Sequence, residues 1–231
     1  MMPAVVRCVG ATREFAVPGS TPVRAVDGVD LEIEPGEFVA IQGPSGSGKS
    51  TLLGLLAGID RADGGSVTVL GHDLARLSPT ERARLRRASM GIVFQAFGLV
   101  GSLSAAENVA LPLTLERVAP DERRARADAA LADVGLEGFG SARIDELSGG
   151  ERQRVGVARA LVAGPSLILA DEPAGSLDDE NASHVLDLLE RASRTKGASL
   201  VLVTHDPASA ARADRRVRMR DGRFVPEALD G

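Results

Sequence analysis

The segment Gly43–Ser50 constrains the fold more than any other part of the chain. Its residues, GPSGSGKS, match the pattern G-x-x-x-x-G-K-[ST]. A short apolar run, Glu37–Ile41, precedes the segment, and the leucines of Ser50–Ile59 follow it at helical spacing. This order of strand, glycine loop and helix brings backbone N–H groups and the positive end of the helix dipole to one point. The sequence therefore predicts a phosphate-binding loop in an α/β fold.

The lysine of this loop is informative because the chain otherwise prefers arginine. Of the 27 basic residues only Lys49 and Lys196 are lysines. A compact ammonium suits the β- and γ-phosphates inside a tight loop, where a planar guanidinium would not fit. Ser50 is predicted to be a Mg²⁺ ligand. The loop residues predicted to contact a nucleotide are Gly43, Ser45, Gly46, Ser47, Gly48, Lys49, Ser50 and Thr51.

Strand and helix patterns alternate at both ends of the 231-residue chain, with a helical block between them. Strands are predicted near residues 37–41, 90–94, 167–170 and 200–203, and helices near 50–59, 78–88, 119–134, 151–162 and 180–195. Residues 217–225 favour a hairpin that turns at Asp221–Gly222. The first 35 residues are expected to form antiparallel strands.

These elements predict a P-loop NTPase core with a mainly parallel sheet, an N-terminal antiparallel β subdomain and an inserted α-helical subdomain. We expect a single domain over residues 1–231, in which 1–95 and 155–231 form the nucleotide-binding core and 96–154 the helical part. A length of 231 residues and an apolar fraction of 44% suffice for a stable core without disulfides or a structural metal.

Composition excludes several other classes of protein. A formal charge of −5 argues against a general nucleic-acid binder. Cys8 is the only cysteine, which excludes an internal disulfide and a cysteine zinc cluster. The longest apolar stretch, Leu52–Ile59, is too short to span a bilayer, and the N-terminus lacks the pattern of a secretory signal. The expectation is a cytoplasmic protein.

Two carboxylates follow a buried strand in the segment Ser166–Glu172, SLILADE. Alone, an apolar run before Asp-Glu is more often a strand that meets a solvated loop. With a phosphate loop in the same chain, the carboxyl edge of the sheet is where a second magnesium contact is needed. Asp171 is predicted to hold Mg²⁺, directly or through water. Glu172 is expected to point the other way along the strand and to act as the general base for the attacking water.

A second glycine-rich helix start lies at Leu147–Glu151, LSGGE. Ser148 and Glu151 fit a capping box, which is the simpler interpretation. The alternative is a second anion site, in which Ser148, Gly149 and Gly150 meet a phosphate. Continued by Arg-Gln-Arg, this segment closely resembles the signature of ATP-binding cassette (ABC) ATPases, and the resemblance extends over nearly the whole chain.

The resemblance assigns further residues. Gln95 resembles the Q-loop glutamine, which senses Mg²⁺ and the γ-phosphate, so the implied metal ligands are Ser50, Gln95 and Asp171. The catalytic residues it implies are Glu172, Gln95 and His205, the last resembling the switch histidine. Phe15 stands where the family usually has a tyrosine that stacks on adenine.

The resemblance also implies partners: a head-to-tail homodimer, in which each ATP lies between Lys49 of one chain and Ser148 of the other, and a separate membrane permease. The subfamily pattern is similar to the ATPases of lipoprotein-releasing and macrolide-exporting systems, and to the related cell-division ATPase. Transport is therefore the first hypothesis, with ATP and Mg²⁺ as cofactors and the inner face of the cell membrane as the location. Control of cell-wall enzymes without substrate movement is the alternative.

Two other classes fit poorly. Repair proteins of this family carry long coiled-coil insertions and translation proteins carry two cassettes, whereas this sequence has one phosphate loop in 231 residues. A small GTPase would need an Asn-Lys-x-Asp guanine reader, and neither Asn108 nor Asn181 precedes a lysine.

The residues after Gln95 are apolar, and Phe97 is the aromatic among them. Such a loop is often ordinary core. In the family, this region receives a short helix of the membrane subunit, so Phe97 is expected to contribute to that contact.

Overall fold

The computed structural model describes residues 3–16, 18–19 and 21–226. Two compact units make up the described chain. The first contains the residues up to Arg84 and those from Val201 onward, and the second contains Leu85–Leu200. The ends of the expected domain, residues 1 and 231, lie outside the described residues.

The first unit contains an antiparallel sheet in the order β2-β1-β4-β5. Its strands are β1 (Val6–Phe15), β2 (Val23–Ile33), β4 (Gly64–Val69) and β5 (His72–Asp73). Val6 lies opposite Ile33 on one side and Val69 on the other, and all three are buried. The expected antiparallel strands in the N-terminal region are therefore confirmed, and β4 and β5 extend them.

Cys8 points into the core from β1. Its side chain is 3% exposed, and burial, helped by the charge of Asp30, raises the pKa of its thiol to about 12. The thiol is consequently protonated at neutral pH.

The same unit contains β3 (Phe38–Gln42), β9 (Arg215–Arg220), β10 (Arg223–Val225) and the part of β8 (Ser199–Thr204) from Val201 onward, in the order β10-β9-β3-β8. Strands β3 and β9 are parallel, with Ile41 opposite Val217. The turn from β9 to β10 has positive φ at Asp221 (50°) and Gly222 (79°), as a type I′ turn requires. The hairpin and its turn are as predicted.

Helix α1 (Lys49–Leu56) follows β3, and Leu52, Leu55 and Leu56 are its fully buried side chains. The other helices that lie wholly or partly in this unit are α2 (Pro79–Ser89) and α7 (Pro207–Ala210). Ser78 and Glu81 form the predicted capping box at the start of α2.

The second unit contains two parallel strands, β6 (Met90–Val93) and β7 (Leu167–Asp171), with Val93 opposite Ala170. The α-helices that lie wholly in this unit are α3 (Ala105–Leu115), α4 (Pro120–Asp133), α5 (Gly149–Leu161) and α6 (Asp179–Lys196). Helices α3, α4 and α5 pack on one another through buried side chains such as Leu113, Leu131 and Val155. The α/β fold class is confirmed.

No helix within the described parts of the chain is long and apolar enough to cross a membrane.

The sequence patterns do not predict helix α3, because it contains Pro112, and proline is disfavoured inside helices. Asn108 fixes the loop before it. The Asn108 side chain is fully buried; its Oδ1 accepts from Val100 N at 2.8 Å, and its Nδ2 lies 3.0–3.2 Å from the carbonyl oxygens of Val100, Leu103 and Ser104. One side chain thus replaces the regular hydrogen bonds that this loop lacks.

Asn108→Ala should therefore destabilise the protein. It removes four hydrogen bonds, leaves Val100 N and Leu103 O without the partner they have here, and opens a cavity, so we expect a loss of about 2–4 kcal/mol in the free energy of unfolding. Urea denaturation followed by circular dichroism measures this loss. Ser102→Ala, an exposed change in the same loop, is the matched control and should stay within about 0.5 kcal/mol of the parent. Equal stability of the two variants would contradict the bracing role of Asn108.

Candidate functional site

The loop between β3 and α1 is folded around the ammonium group of Lys49. Its Nζ donates to the carbonyl oxygens of Gly43, at 2.8 Å, and of Pro44, at 2.9 Å. The Lys49 side chain is 7% exposed. Ser47 N also donates to Pro44 O at 3.3 Å, which closes the loop on itself. The positive charge is therefore held at the centre of the loop.

Two of the loop glycines are required by close backbone approach. A Cβ on Gly48, whose φ is 100°, would overlap the carbonyl oxygen of Ala25, and one on Gly43 would overlap that of Met219. Gly222, in the β9–β10 turn, donates its N–H to Ser47 O at 3.0 Å. The strands around the loop thus hold its shape. No local sequence pattern predicts the support from Met219 and Gly222, because both residues lie far from the loop along the chain.

The start of α1 suits an anion. Gly48 is the N-cap and has no side chain to cap the first turn, so the N–H groups there face the loop. Ser45, Gly46 and Ser50 are exposed, and Thr51 is half-buried. All eight predicted loop residues thus lie in one continuous cradle, which could hold a chain of phosphates.

The second unit brings Gln95 and Asp171 to one sheet edge. Asp171 is the last residue of β7, and Gln95 follows the parallel strand β6 by two residues. Because Val93 pairs with Ala170, the two polar residues leave the sheet at the same carboxyl edge. Asp171 is half-buried and Gln95 is exposed. An amide and a carboxylate oxygen are donors of the kind that Mg²⁺ prefers.

Glu172 differs from the expectation. It was expected to alternate with Asp171 along the strand, but β7 ends at Asp171, and Glu172 has a φ of 44°. A glutamate seldom adopts this left-handed conformation, which costs about 1–3 kcal/mol. The turn, and not the alternation of a strand, sets the direction of the Glu172 side chain.

The glycine-rich start of α5 has both features considered above. Ser148 Oγ accepts from Glu151 N at 3.3 Å, and the Glu151 carboxylate accepts from Ser148 N at 2.7 Å, which completes a capping box. Hydrogen bonding to Ser148, first through its backbone N–H, lowers the pKa of the Glu151 carboxyl group. Ser148 and Gly149 are nevertheless exposed, whereas Gly150 is buried. The helix start is therefore accessible to an anion from outside the chain.

His205 lies in the first unit, one residue beyond β8, and is exposed. Asp206, which caps α7, accepts from Ser209 N at 2.7 Å and Ser209 Oγ at 2.6 Å. These bonds lower the pKa of Asp206, so it stays ionised beside the imidazole. The cap thereby fixes the chain just after His205.

Phe15 ends β1 and is 39% exposed. The Arg13 guanidinium lies 4.6 Å from the centre of its ring, a cation–π distance. One face of the ring is thus engaged by a cation. Arg13 is a neighbour that the sequence patterns did not single out.

A phosphate cradle between a strand and a helix, on an α/β fold with an antiparallel subdomain, defines a P-loop nucleotide-binding protein. The protein-family model described as "ABC transporter" matches residues 26–175 of this chain. The chain belongs to the ABC transporter family, and it is an ABC ATPase, as the resemblance in its signature and phosphate loop implied.

Individual relatives are similar in sequence to this chain over nearly its full length. The lipoprotein-releasing system ATP-binding protein LolD of Chromohalobacter salexigens is 43% identical over 97% of this chain and 94% of its own length. The macrolide export ATP-binding/permease protein MacB of Hyphomonas neptunium is 44% identical over 99% of this chain, but this chain spans only 35% of that protein.

A solved structure of similar fold is described as the dimeric, post-hydrolysis state of the ATP-binding cassette MJ0796 bound to ADP and Pi. Its TM-score is 0.90, at 37% identity, over 98% of this chain and 99% of that one. With 37% identity over nearly the whole chain, the similarity is one of sequence as well as of fold. ATP and Mg²⁺ are the cofactors of this class of ATPase.

Lys49→Ala should abolish ATP binding at the loop. It removes the ammonium that the Gly43 and Pro44 carbonyls hold in place, and phosphate charge would remain uncompensated. We expect a loss of at least about 100-fold in affinity, measured by calorimetry with Mg²⁺ATP. Lys49→Arg should also lose ATP binding, because the planar guanidinium group is too large for the loop. Near-parental affinity of either variant would contradict the assignment.

Proposed function

We propose that this chain is the ATP-hydrolysing subunit of a transporter and drives a separate integral membrane permease through an ATP-dependent, head-to-tail homodimer. The observation that carries the proposal is the presence of two phosphate-binding helix starts in one chain. The cradle at Lys49 belongs to one compact unit and the exposed start at Ser148 to the other. In a head-to-tail pair of copies, each nucleotide would contact the Lys49 cradle of one copy and the Ser148 helix start of the other.

The loop residues bind the phosphates in this proposal. Ser50, Gln95 and Asp171 supply hydroxyl, amide and carboxylate oxygens, a donor set that fits Mg²⁺. When bound, the ion neutralises charge on the β- and γ-phosphates. Ser148, Gly149 and Gly150 of the other copy face the γ-phosphate with the positive end of α5.

Glu172 is the general base in this proposal, and it takes a proton from the attacking water. Its strained backbone turns the side chain away from the line of the strand, which supports a role beyond packing. His205 donates an imidazole hydrogen bond to the γ-phosphate. Phe15 offers its free face to adenine, while Arg13 covers the other.

The proposed location is the cytoplasm, at the inner face of the cell membrane, and the partners do not include nucleic acid. Residues 96–154 serve as the helical subdomain that carries the signature, and 1–95 with 155–231 as the nucleotide-binding core. The alternative, a cell-wall regulator that moves no substrate, is not favoured, because LolD and MacB are both named for release or export.

An apolar groove supports a permease contact. It has a volume of about 220 Å³, and its lining includes Phe94, Leu111, Pro112 and Leu115. Leu115 is 60% exposed and Phe94 is 39% exposed, and both line the same groove, so they form part of one exposed apolar patch. Such a groove fits the apolar face of a short helix.

Phe97 does not line this groove. It is half-buried with a φ of 60°, and its carbonyl oxygen accepts from Arg159 Nη2 at 2.9 Å. Phe94 and Leu115 are therefore better candidates for the permease contact than Phe97.

Glu172→Gln should stop hydrolysis and leave ATP binding intact. The amide keeps the shape of the side chain and cannot accept the proton, so turnover should fall about 10²–10⁴-fold. Gel filtration with ATP should show more dimer than for the parent. Glu180→Gln, a similar change at an exposed site in α6, is the control. Normal turnover by Glu172→Gln would remove it as the base.

Leu115→Asp should weaken the permease contact without harming the isolated ATPase. The new carboxylate is exposed in the free chain, but it would be buried without a partner in the complex, which costs several kcal/mol. Co-purification in detergent and permease-stimulated ATPase activity measure the effect. Ile59→Asp, at an exposed apolar residue of the other unit (52% exposed), is the control. Full stimulation of Leu115→Asp would exclude the groove.

A further inference from the structure

Asn181 joins the start of α5, the helix that begins with the LSGGE signature, to the start of α6, the helix that follows Glu172. It lies in the first turn of α6, where its N–H donates to the capping Asp178 Oδ1 at 3.0 Å. Its side-chain Nδ2 donates to Asp178 Oδ2 at 2.7 Å, and its Oδ1 accepts from Arg154 Nη1 of α5 at 3.4 Å. The amide is therefore oriented at both ends.

A side chain at Gly150 would enter space that Asn181 occupies. Gly150 lies inside α5, where any residue could take the helical backbone, so its conformation does not demand glycine. A Cβ there would come 2.5 Å from Asn181 Oδ1 and 2.7 Å from its Cγ. Gly149 differs, because its Cβ would lie at an ordinary 4.0 Å from Leu177. The close contact is thus specific to the pair Gly150–Asn181.

The contact joins two helix starts that have different tasks in the proposed cycle. The exposed Ser148 and Gly149 at the start of α5 face the partner copy's nucleotide. The start of α6 continues the segment that begins at Glu172. The hydrogen bonds from Asn181 lower the pKa of Asp178, which keeps this cap ionised. Through Asn181, the start of α5 and the start of α6 are thus in direct contact.

We propose that Asn181 is a positioning residue. It holds the signature helix start at the distance from the α6 cap that the closed homodimer needs. The inference rests on the proposed function, since it assumes that Ser148 and Gly149 meet the partner's ATP. Asn181 itself contacts no nucleotide in this proposal.

Asn181→Ala tests the proposal in the Glu172→Gln background. It leaves the Asp178 and Arg154 side chains without this partner and opens space at Gly150. We expect the ATP-driven dimer to weaken at least tenfold in sedimentation experiments, while binding of a fluorescent ATP analogue to the phosphate loop stays within twofold. Glu180→Ala, at an exposed site in the same turn of α6, is the control and should dimerise like its parent.

Gly150→Ala tests the same contact from the other side. Alone, its methyl group collides with Asn181, so it should weaken the dimer as well. Combined with Asn181→Ala, the methyl enters the vacated space, so the double variant should dimerise better than Gly150→Ala alone. Additive losses in the pair would contradict direct contact.

A kinetic measurement separates positioning from a general loss of structure. With Glu172 intact, Asn181→Ala should lose ATPase activity at low protein concentration and recover it at high concentration, because only the dimer constant has changed. A loss that persists at all concentrations would overturn the inference. If the Glu172→Gln parent itself forms no dimer with ATP, the proposed function fails. If the parent forms the dimer and Asn181→Ala does so equally well, only the role of Asn181 fails.

Discussion

The first unit depends on a lysine charge enclosed by its own backbone. The ammonium of Lys49 takes two carbonyl oxygens, at 2.8 and 2.9 Å, and so draws the loop around itself. Neighbouring strands can then approach so closely that Gly43 and Gly48 have no room for a Cβ. The β9–β10 turn adds a hydrogen bond to Ser47. A charge this well enclosed is tolerable because two of its donors have carbonyl partners.

Local patterns predicted the elements that local physics controls. The phosphate loop, the buried strand before Asp171 and the Asp221–Gly222 turn each have a short signature, and each was found. The break at Glu172 was not foreseen, because a period of two assumes that the strand continues. Helix α3 was not predicted, because Pro112 is a residue that seldom occurs inside a helix.

The contacts of the two asparagines of the chain could not be predicted from the sequence. No sequence pattern assigns a structural role to Asn108 or Asn181. In the structure, Asn108 braces a loop through hydrogen bonds to residues up to eight positions away, and Asn181 joins two helices through residues up to 31 positions away. No periodicity encodes such contacts, because they arise only when the helices have packed. Gly150 was assigned to phosphate binding, and its packing against Asn181 could not be deduced from the LSGGE pattern.

The burial of Cys8 has a practical consequence for labelling chemistry. With a pKa of about 12, only about one thiol in 10⁵ is ionised at neutral pH. The native chain should therefore be almost inert to maleimides and iodoacetamides while it is folded. A single cysteine introduced at an exposed position such as Ser102 would carry a fluorophore or spin label alone, with no need to remove the natural one.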